Sequence, residues 1–580
     1  MSLTIKALRE RLARPRRRWG NRMAARRANL GATPDVAEML PEPVLFGDAD
    51  RGMALVGGTW QALGHEIALG EKTIWAARLP DARLEPARQS FGWLDDLGAL
   101  GNKAARTRAQ NWLLDWIKRY GAGLGPGWTP ECAGLRAQQW TAHAALLAKG
   151  LEPKHEDRFW RALAGQQRYL TQTWQQADAG LPRLRALAGL VWSGIILPHR
   201  GHRVAMAELG QLAETLIDGS GEVASRRPED LAEALILLIW TARVLENAGQ
   251  HAPPAHLSAI VRGVPVLRPL RMGDATFARF HGGSQGDPDR LDQALAELRI
   301  GVQAKPPLSM GFCRLTGGRT AVVLDAAVPP AGPHAHHAHA STLAFEMSVS
   351  RQPLVVNCGP GEPFGPSWHL ASRQTAFHST VEVGGQSSAW IRSGGIVSGT
   401  FGARLTEGPL LVSVRQAQDA TGQWLLATHD GYSASRGVIH ERRIFVDARG
   451  AEIRGEDILT VPDARARSQF DKSSYGRPTT YAARFHLHPD LRVDHDTVRQ
   501  LVLMLLPTGE AWVFRSTGGE ISLEDSTYFD PRTAQPIATF QIVVNGEIKD
   551  YLGQAVWSFK RLKEAPRETP AEPDNAFPET

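Results

Sequence analysis

Four of the nineteen histidines of this 580-residue chain fall inside six residues: His334, His336, His337 and His339, in HAHHAHASTLAFE (334–346). Imidazole titrates near neutral pH and is a common zinc ligand, so such a cluster can move protons or hold a metal. His337 and His339 sit two apart and run into LAFEMSV, which alternates like a strand. At period two both rings face one side of a sheet. A His-rich solvated loop after PPAGP fits the same composition. Downstream, LVVNCG (354–359) reads as a second apolar strand ending at Asn357, and SRQTAFHSTVEV (372–383) brings Arg373, Thr375 and His378. His339 on one strand, Asn357 on the next and His378 after a short loop make a three-ligand set for a metal such as Zn²⁺. Arg373 is a candidate carboxylate clamp, because its planar fork binds carboxylate bidentately.

The elements that must position these residues change character along the chain. NWLLDWIKRY (111–120), LRALAGLVWSGIIL (184–197) and LAEALILLIWTARVLENAG (231–249) carry apolar residues at helical spacing or nearly all round, with Gly and Pro between such segments. After about Gly301 the texture becomes short alternating runs bounded by Gly, Asp and Pro, such as TAVVLDAAV and RRIFVD. That pattern predicts a many-stranded antiparallel β-sandwich. The linker is expected near 296–308. A chain of this length forms at least two large domains. Three scattered cysteines, Cys132, Cys313 and Cys358, do not make a disulfide framework.

The order of motifs resembles the heparinase II/III-like polysaccharide lyases. The pattern H-x-H with L-x-V-N-x-G and R-x-T-x-x-H-x-T is followed by HDGY (429–432), HERRIF (440–445), GEDIL (455–459), RFHLHP (484–489) and LEDSTYF (523–529). The upstream FGWLDDL (91–97), WTPECAGLRAQQW (128–140) and DGSGEVASRRPEDL (218–231) resemble the family's helical half. The resemblance implies an α+β fold, an α/α toroid (36–300) followed by a β-sandwich (305–562); charge marks a basic arm (1–35) ahead of them, and Pro/Glu-rich composition predicts a disordered tail (563–580). It also implies β-elimination on a uronate-containing acidic polysaccharide, with no organic cofactor. Such a reaction needs a group to neutralise the carboxylate, a base for C5–H and an acid for the departing oxygen. By resemblance His337 takes the catalytic histidine position, and His339, Asn357 and His378 take the metal positions. Asn357 stands where the family commonly has Asp, and Ser341 stands where the H-x-H-x-D pattern has Asp; both changes weaken a Zn²⁺ site.

The helical half is less complete. Only Tyr120 and Tyr169 precede residue 432, and neither lies in a catalytic motif. Glu222 and Arg226 are toroid-side candidates, and His281 in RFHGGSQG (279–286) either stands in for the absent tyrosine or is a loop histidine. Tyr432, with His429, Asp430, His440 and Arg442, forms a further polar cluster; Asp430 either orients His429 or pins a hairpin. The expected roles are catalysis by His337, Arg373, His281 and Tyr432, and substrate binding by Arg226, His429 and Arg442. An alternative is a catalytically degraded glycan-binding or envelope-assembly protein on the same scaffold. A glycosidase would need two carboxylates across a cleft; Asp95, Asp96 and Glu222 are available, but their spacing gives no support.

Charge is uneven. Residues 1–30 hold Lys6 and nine arginines against Glu10, whereas the whole chain is formally +6, so the remainder is slightly acidic. The arm could be a solvated leader or could meet an anionic membrane surface. Nothing beyond charge suggests nucleic-acid binding. No apolar run reaches membrane-spanning length, and no apolar segment follows the basic residues as in a secretory signal. The resemblance implies the cell envelope or periplasm; the cytoplasm is the alternative.

Overall fold

A computed structural model describes residues 3–32, 35–37, 47–298 and 308–563. The expected linker falls largely, and the expected tail almost wholly, outside these residues. The fold is α+β, an N-terminal α/α toroid followed by a C-terminal antiparallel sandwich. Toroid helices begin where the chain supplies caps. Asn102 accepts from the Ala105 amide ahead of Lys103–Tyr120, and Thr129 accepts from Cys132 ahead of Pro130–Ala142, which opens on a proline. Helices Pro130–Ala142, Pro153–Thr173, Leu181–Ile196 and Pro228–Asn247 pack in succession. Their core is aromatic: Trp112, Trp116 and Trp140 are buried, and Arg136, itself buried, lies 4.3 Å from the Trp116 ring. The tryptophans that crowd the first half are therefore mainly core.

The sandwich has two antiparallel sheets. One runs Val412–Gln418, Gly422–Tyr432, Val438–Asp447, Glu452–Thr460, Leu552–Lys563, Ala511–Thr517, Leu501–Leu505, Arg492–Asp496. The other contains Thr479–Leu487, Gln352–Val356, Phe345–Val349, Thr320–Asp325 and Phe312–Gly317 as successive neighbours. Inward residues of both interdigitate: Phe345 stacks on Trp557 at 5.5 Å, and Phe485 meets Phe514 and Phe559.

The histidine cluster is not on a strand. Gly332–His336 is a 3₁₀ turn, and the strand starts only at Phe345. Two causes are visible. Arg373 takes the carbonyls of Ala335 and Ala338, curling the segment, and Leu343 has φ 62, which breaks an extended run. His337 and His339 consequently part: His337 faces solvent space, whereas His339 is buried.

Toroid and sandwich are joined through buried charge. Arg226 donates to the carbonyls of Met310, Gly311, Ala327 and Val328 and to Asp325 Oδ1 at 2.5 Å. Asp325 is fully buried, and its pKa is raised because burial outweighs the pull of Arg226. Arg279 adds a bond to the Asn357 carbonyl and lies 3.4 Å from Glu346. Replacing Arg226 with Met strands the Asp325 carboxylate, a change that typically costs about 3–5 kcal/mol for a buried pair. A marked fall in the thermal midpoint is expected, with faster proteolysis between the two halves; an unchanged midpoint would show the pair is not a joint.

Candidate functional site

A cleft of about 2270 Å³ separates the two halves. Trp60, Trp93, Asp95, Asp96, Gln139 and Arg183 line its toroid wall, while His334, His336, His337 and Arg404 line the sandwich side. The His337 ring lies 3.8 Å from that of His336, tilted by 44°, and its Nδ1 lies 3.6 Å from Glu362. Burial, then His336 and nearby arginines, pull its pKa down to about 2. It is the one proposed catalytic histidine that reaches the cleft.

Behind this wall lies a second, buried group. His378 Nδ1 donates to the Gln374 carbonyl at 2.8 Å, so its Nε2 is free to accept from His339 Nδ1 at 3.0 Å. The His339 amide donates to His281 Nδ1, which turns His281 Nε2 toward Asp325, 3.5 Å away and too poorly aligned for a hydrogen bond. Ser341 donates to the same carboxylate at 2.8 Å. Ser341, at the position where the pattern has Asp, is thus a donor to a carboxylate on the strand Thr320–Asp325. Burial drives His281 and His339 well below the ordinary histidine pKa and takes His378 to about 4. All three are neutral at pH 7.

Several expected site residues are elsewhere. Arg373 is buried, with its donors on the carbonyls of Ala335, Ala338 and Ala403. It shapes the histidine loop and is not aimed into the cleft. Arg226 is the interdomain clamp; its neighbour Arg227 lines the cleft instead. Glu222 accepts from the Met310 amide. Tyr432 is fully buried, its hydroxyl donating to the Val381 carbonyl at 2.7 Å, and burial raises its pKa beyond use as an acid or base near neutrality. His429 and Arg442 lie between the sheets rather than on a binding surface. Gly431 N–H donates to His429 Nδ1, which leaves His429 Nε2–H for His440 Nδ1 and His440 Nε2–H for Asp457. Arg442 grips both oxygens of Asp457 and the carbonyls of Leu343 and Ser379. Asp430 receives the amides of Leu410 and Leu411, so it pins the hairpin. Sequence reading passed over Glu362, Arg227 and Asp325. Only Asp325, closing the apolar run TAVVLD, left a recognisable signal.

The fit to a metal is incomplete. His339 and His378 offer two close nitrogens, but Asn357 Oδ1 already accepts from the Ser379 amide at 3.0 Å. Among the described residues no group of three His, Cys, Asp or Glu could hold an ion. Two imidazoles and a neutral amide lack the anionic oxygen that strengthens a zinc site.

A helical toroid ahead of an antiparallel sandwich, with a histidine at the cleft between them, defines the class of polysaccharide-lyase scaffolds. The chain belongs to the heparinase II/III-like family. Residues 301–558 match the description Heparinase II/III-like, C-terminal. FtsZ-localized protein C of Caulobacter vibrioides (strain NA1000 / CB15N) is 30% identical over 533 residues, covering 90% of this chain and 89% of that protein. Among solved structures, heparinase III superposes with TM-score 0.67 at 11% identity over 96% of this chain and 91% of the other. Heparan sulfate lyase HepC from Pedobacter heparinus gives TM-score 0.54 at 14% identity, covering 93% and 88%. At these identities the structural likeness speaks for the fold alone.

Two measurements probe the buried cluster. The folded pKa of His378, about 4, lies below that of an unfolded histidine, about 6.5. The unfolded chain therefore binds the extra proton, and stability present above about pH 6.5 is lost as pH falls toward 4. Each such histidine contributes a slope of at most about 1.4 kcal/mol per pH unit. Urea midpoints should fall between pH 7 and 5, less steeply in His378→Gln. Elemental analysis at pH 7 should find less than one zinc per chain, lower still in His339→Ala and higher in Asn357→Asp. Full zinc retained after removing both His339 and His378 would rule this position out.

Proposed function

We propose that this chain is a catalytically degraded, glycan-binding member of its family that works where FtsZ is found. The observation that carries the reading is the cleft itself. Among the described residues lining it, His337 stands alone of the expected catalytic residues, and no tyrosine is present. A base works best with a pKa near the operating pH, and His337 is held far below it. Arg373 cannot turn to a uronate carboxylate without releasing three carbonyls. Eight arginines and eight carboxylates from the body of the protein line the cleft, so an acidic oligosaccharide is held there by individual arginine contacts rather than by net charge. The FtsZ-localized relative supports the location. The proposal keeps an acidic oligosaccharide as the cleft's ligand and an anionic membrane surface as the partner of the basic arm. No helix among the described residues is long and apolar enough to cross a membrane.

The second reading, an active lyase acting on a uronate glycan, is favoured by His337 facing a large cleft beside Glu362. A panel of acidic polysaccharides, followed by absorbance of the unsaturated product, separates the two. The first reading expects no product, measurable binding and a fluorescent fusion that coincides with FtsZ. Product formation that drops roughly 10²–10⁴-fold in His337→Ala would overturn it in favour of the lyase.

A further inference from the structure

The basic arm is not a solvated leader. Leu3–Ala28 is one helix, about 39 Å long at 1.5 Å per residue, and it joins the folded body. Ala7, Ala25 and Ala28 are buried on its inner side. Lys6, Glu10, Arg14 and Arg17, on the same side, line the cleft. The helix touches Pro153–Thr173 of the toroid and Gly395–Phe401 of the sandwich, so it spans from one half to the other.

Its two ends are held differently. At the C-terminal end Arg168 donates to the carbonyls of Ala28, Gly31 and Ala32, at 2.6, 3.2 and 2.8 Å. Toward the N-terminus a bond crosses to the sandwich from Arg14 to the Thr400 carbonyl, at 2.5 Å. Between them sits Pro15, inside the helix. A proline there removes one backbone bond and crowds the preceding turn, so the first half can swing while the second stays stapled.

The outer face has its own chemistry. Ile5, Leu8, Leu12 and Trp19 fall at helical positions i, i+3, i+7 and i+14, on one stripe, and are 47, 50, 63 and 67% exposed. Arg11, Arg16, Arg18, Arg22, Arg26 and Arg27 stand exposed around them. Arginines alone would suit any polyanion, a glycan included. Four apolar side chains in a row also need an apolar phase, and an anionic lipid surface supplies both.

We propose that this helix is a lipid-responsive strap: it closes the cleft in solution, and docking of its outer face on an anionic membrane lifts its first half and opens the cleft. The inference rests on the membrane partner proposed above and adds that lipid and cleft are linked through one element. It accounts for the helix carrying a cleft-lining face and a lipid-type face at once. A ligand can shift such a two-state equilibrium only by binding one state better, and lipid prefers the lifted helix because Lys6, and Arg14 once it leaves the Thr400 carbonyl, then reach the headgroups, while Arg17 keeps its pair with Glu10.

Hydrogen exchange on the full chain tests this without any glycan. Phosphatidylglycerol–phosphatidylcholine vesicles should bind the protein, and phosphatidylcholine alone should not. On binding, the amides of 178–183 in the toroid wall and of 395–401 in the sandwich should exchange severalfold faster. Arg14→Ala should give part of that increase without lipid. The double variant Leu8→Glu/Leu12→Glu, altered only on the outer face, should lose vesicle binding and keep the slow exchange. Absence of vesicle binding by the wild type, or binding that leaves both segments unchanged or slower, would overturn the strap. Neither result bears on the glycan and FtsZ assays.

Discussion

The buried pair of Arg226 and Asp325 is the constraint on which the rest of the molecule hangs. Asp325 ends a central strand of the sandwich, and Arg226 comes from the toroid in a left-handed turn at φ 53. One carboxylate therefore does three things. It fixes the two halves relative to each other, it receives Ser341 at the root of the histidine loop, and it faces His281. A charge this deep is tolerable only because it is paired and hydrogen-bonded on both oxygens. The cleft geometry and the histidine geometry are thus set by the same interaction.

A second buried network supports the loop from the opposite side. Asp457 sits between the sheets; burial alone would raise its pKa, but Arg442 and His440 together lower it. Arg442 then reaches past Asp457 to the carbonyls of Leu343 and Ser379, which flank the His339–His378 pair. The residues that resemble substrate-binding groups in sequence, His429 and Arg442, are here the scaffold of the pair. Their hydrogen bonds run in one direction, from Gly431 through His429 and His440 to Asp457, so each ring has a defined tautomer.

Much of this was legible in the sequence, for identifiable reasons. The change from helical to alternating spacing near residue 300 reports burial periodicity, and burial is what the two layers share. The H-x-H segment was recognisable by composition, but its shape was not. Its curl depends on Arg373, whose partners lie 30 to 38 residues away. The choice between Arg226 and Arg227 was equally hidden, because only the turn at φ 53 decides which guanidinium enters the interface. Tyr432 looked available by type, yet the two sheets enclose it. The arm's charge was plain, whereas its inner face was not: the buried alanines matter only once helix Pro153–Thr173 is present to receive them.

That last dependence has a consequence in time. The helix Leu3–Ala28 is synthesised before the sandwich, and its contact at Thr400 lies 386 residues downstream of Arg14. At roughly 5–20 residues per second, translation takes about 20–80 s to cover that distance. Throughout that interval the helix has no sandwich to rest on, and its arginines and apolar stripe meet the ribosome, chaperones and any nearby bilayer first. This helix is therefore made long before the sandwich surface it rests on, and the order of assembly, as much as the final contacts, determines which surface it meets before it folds back.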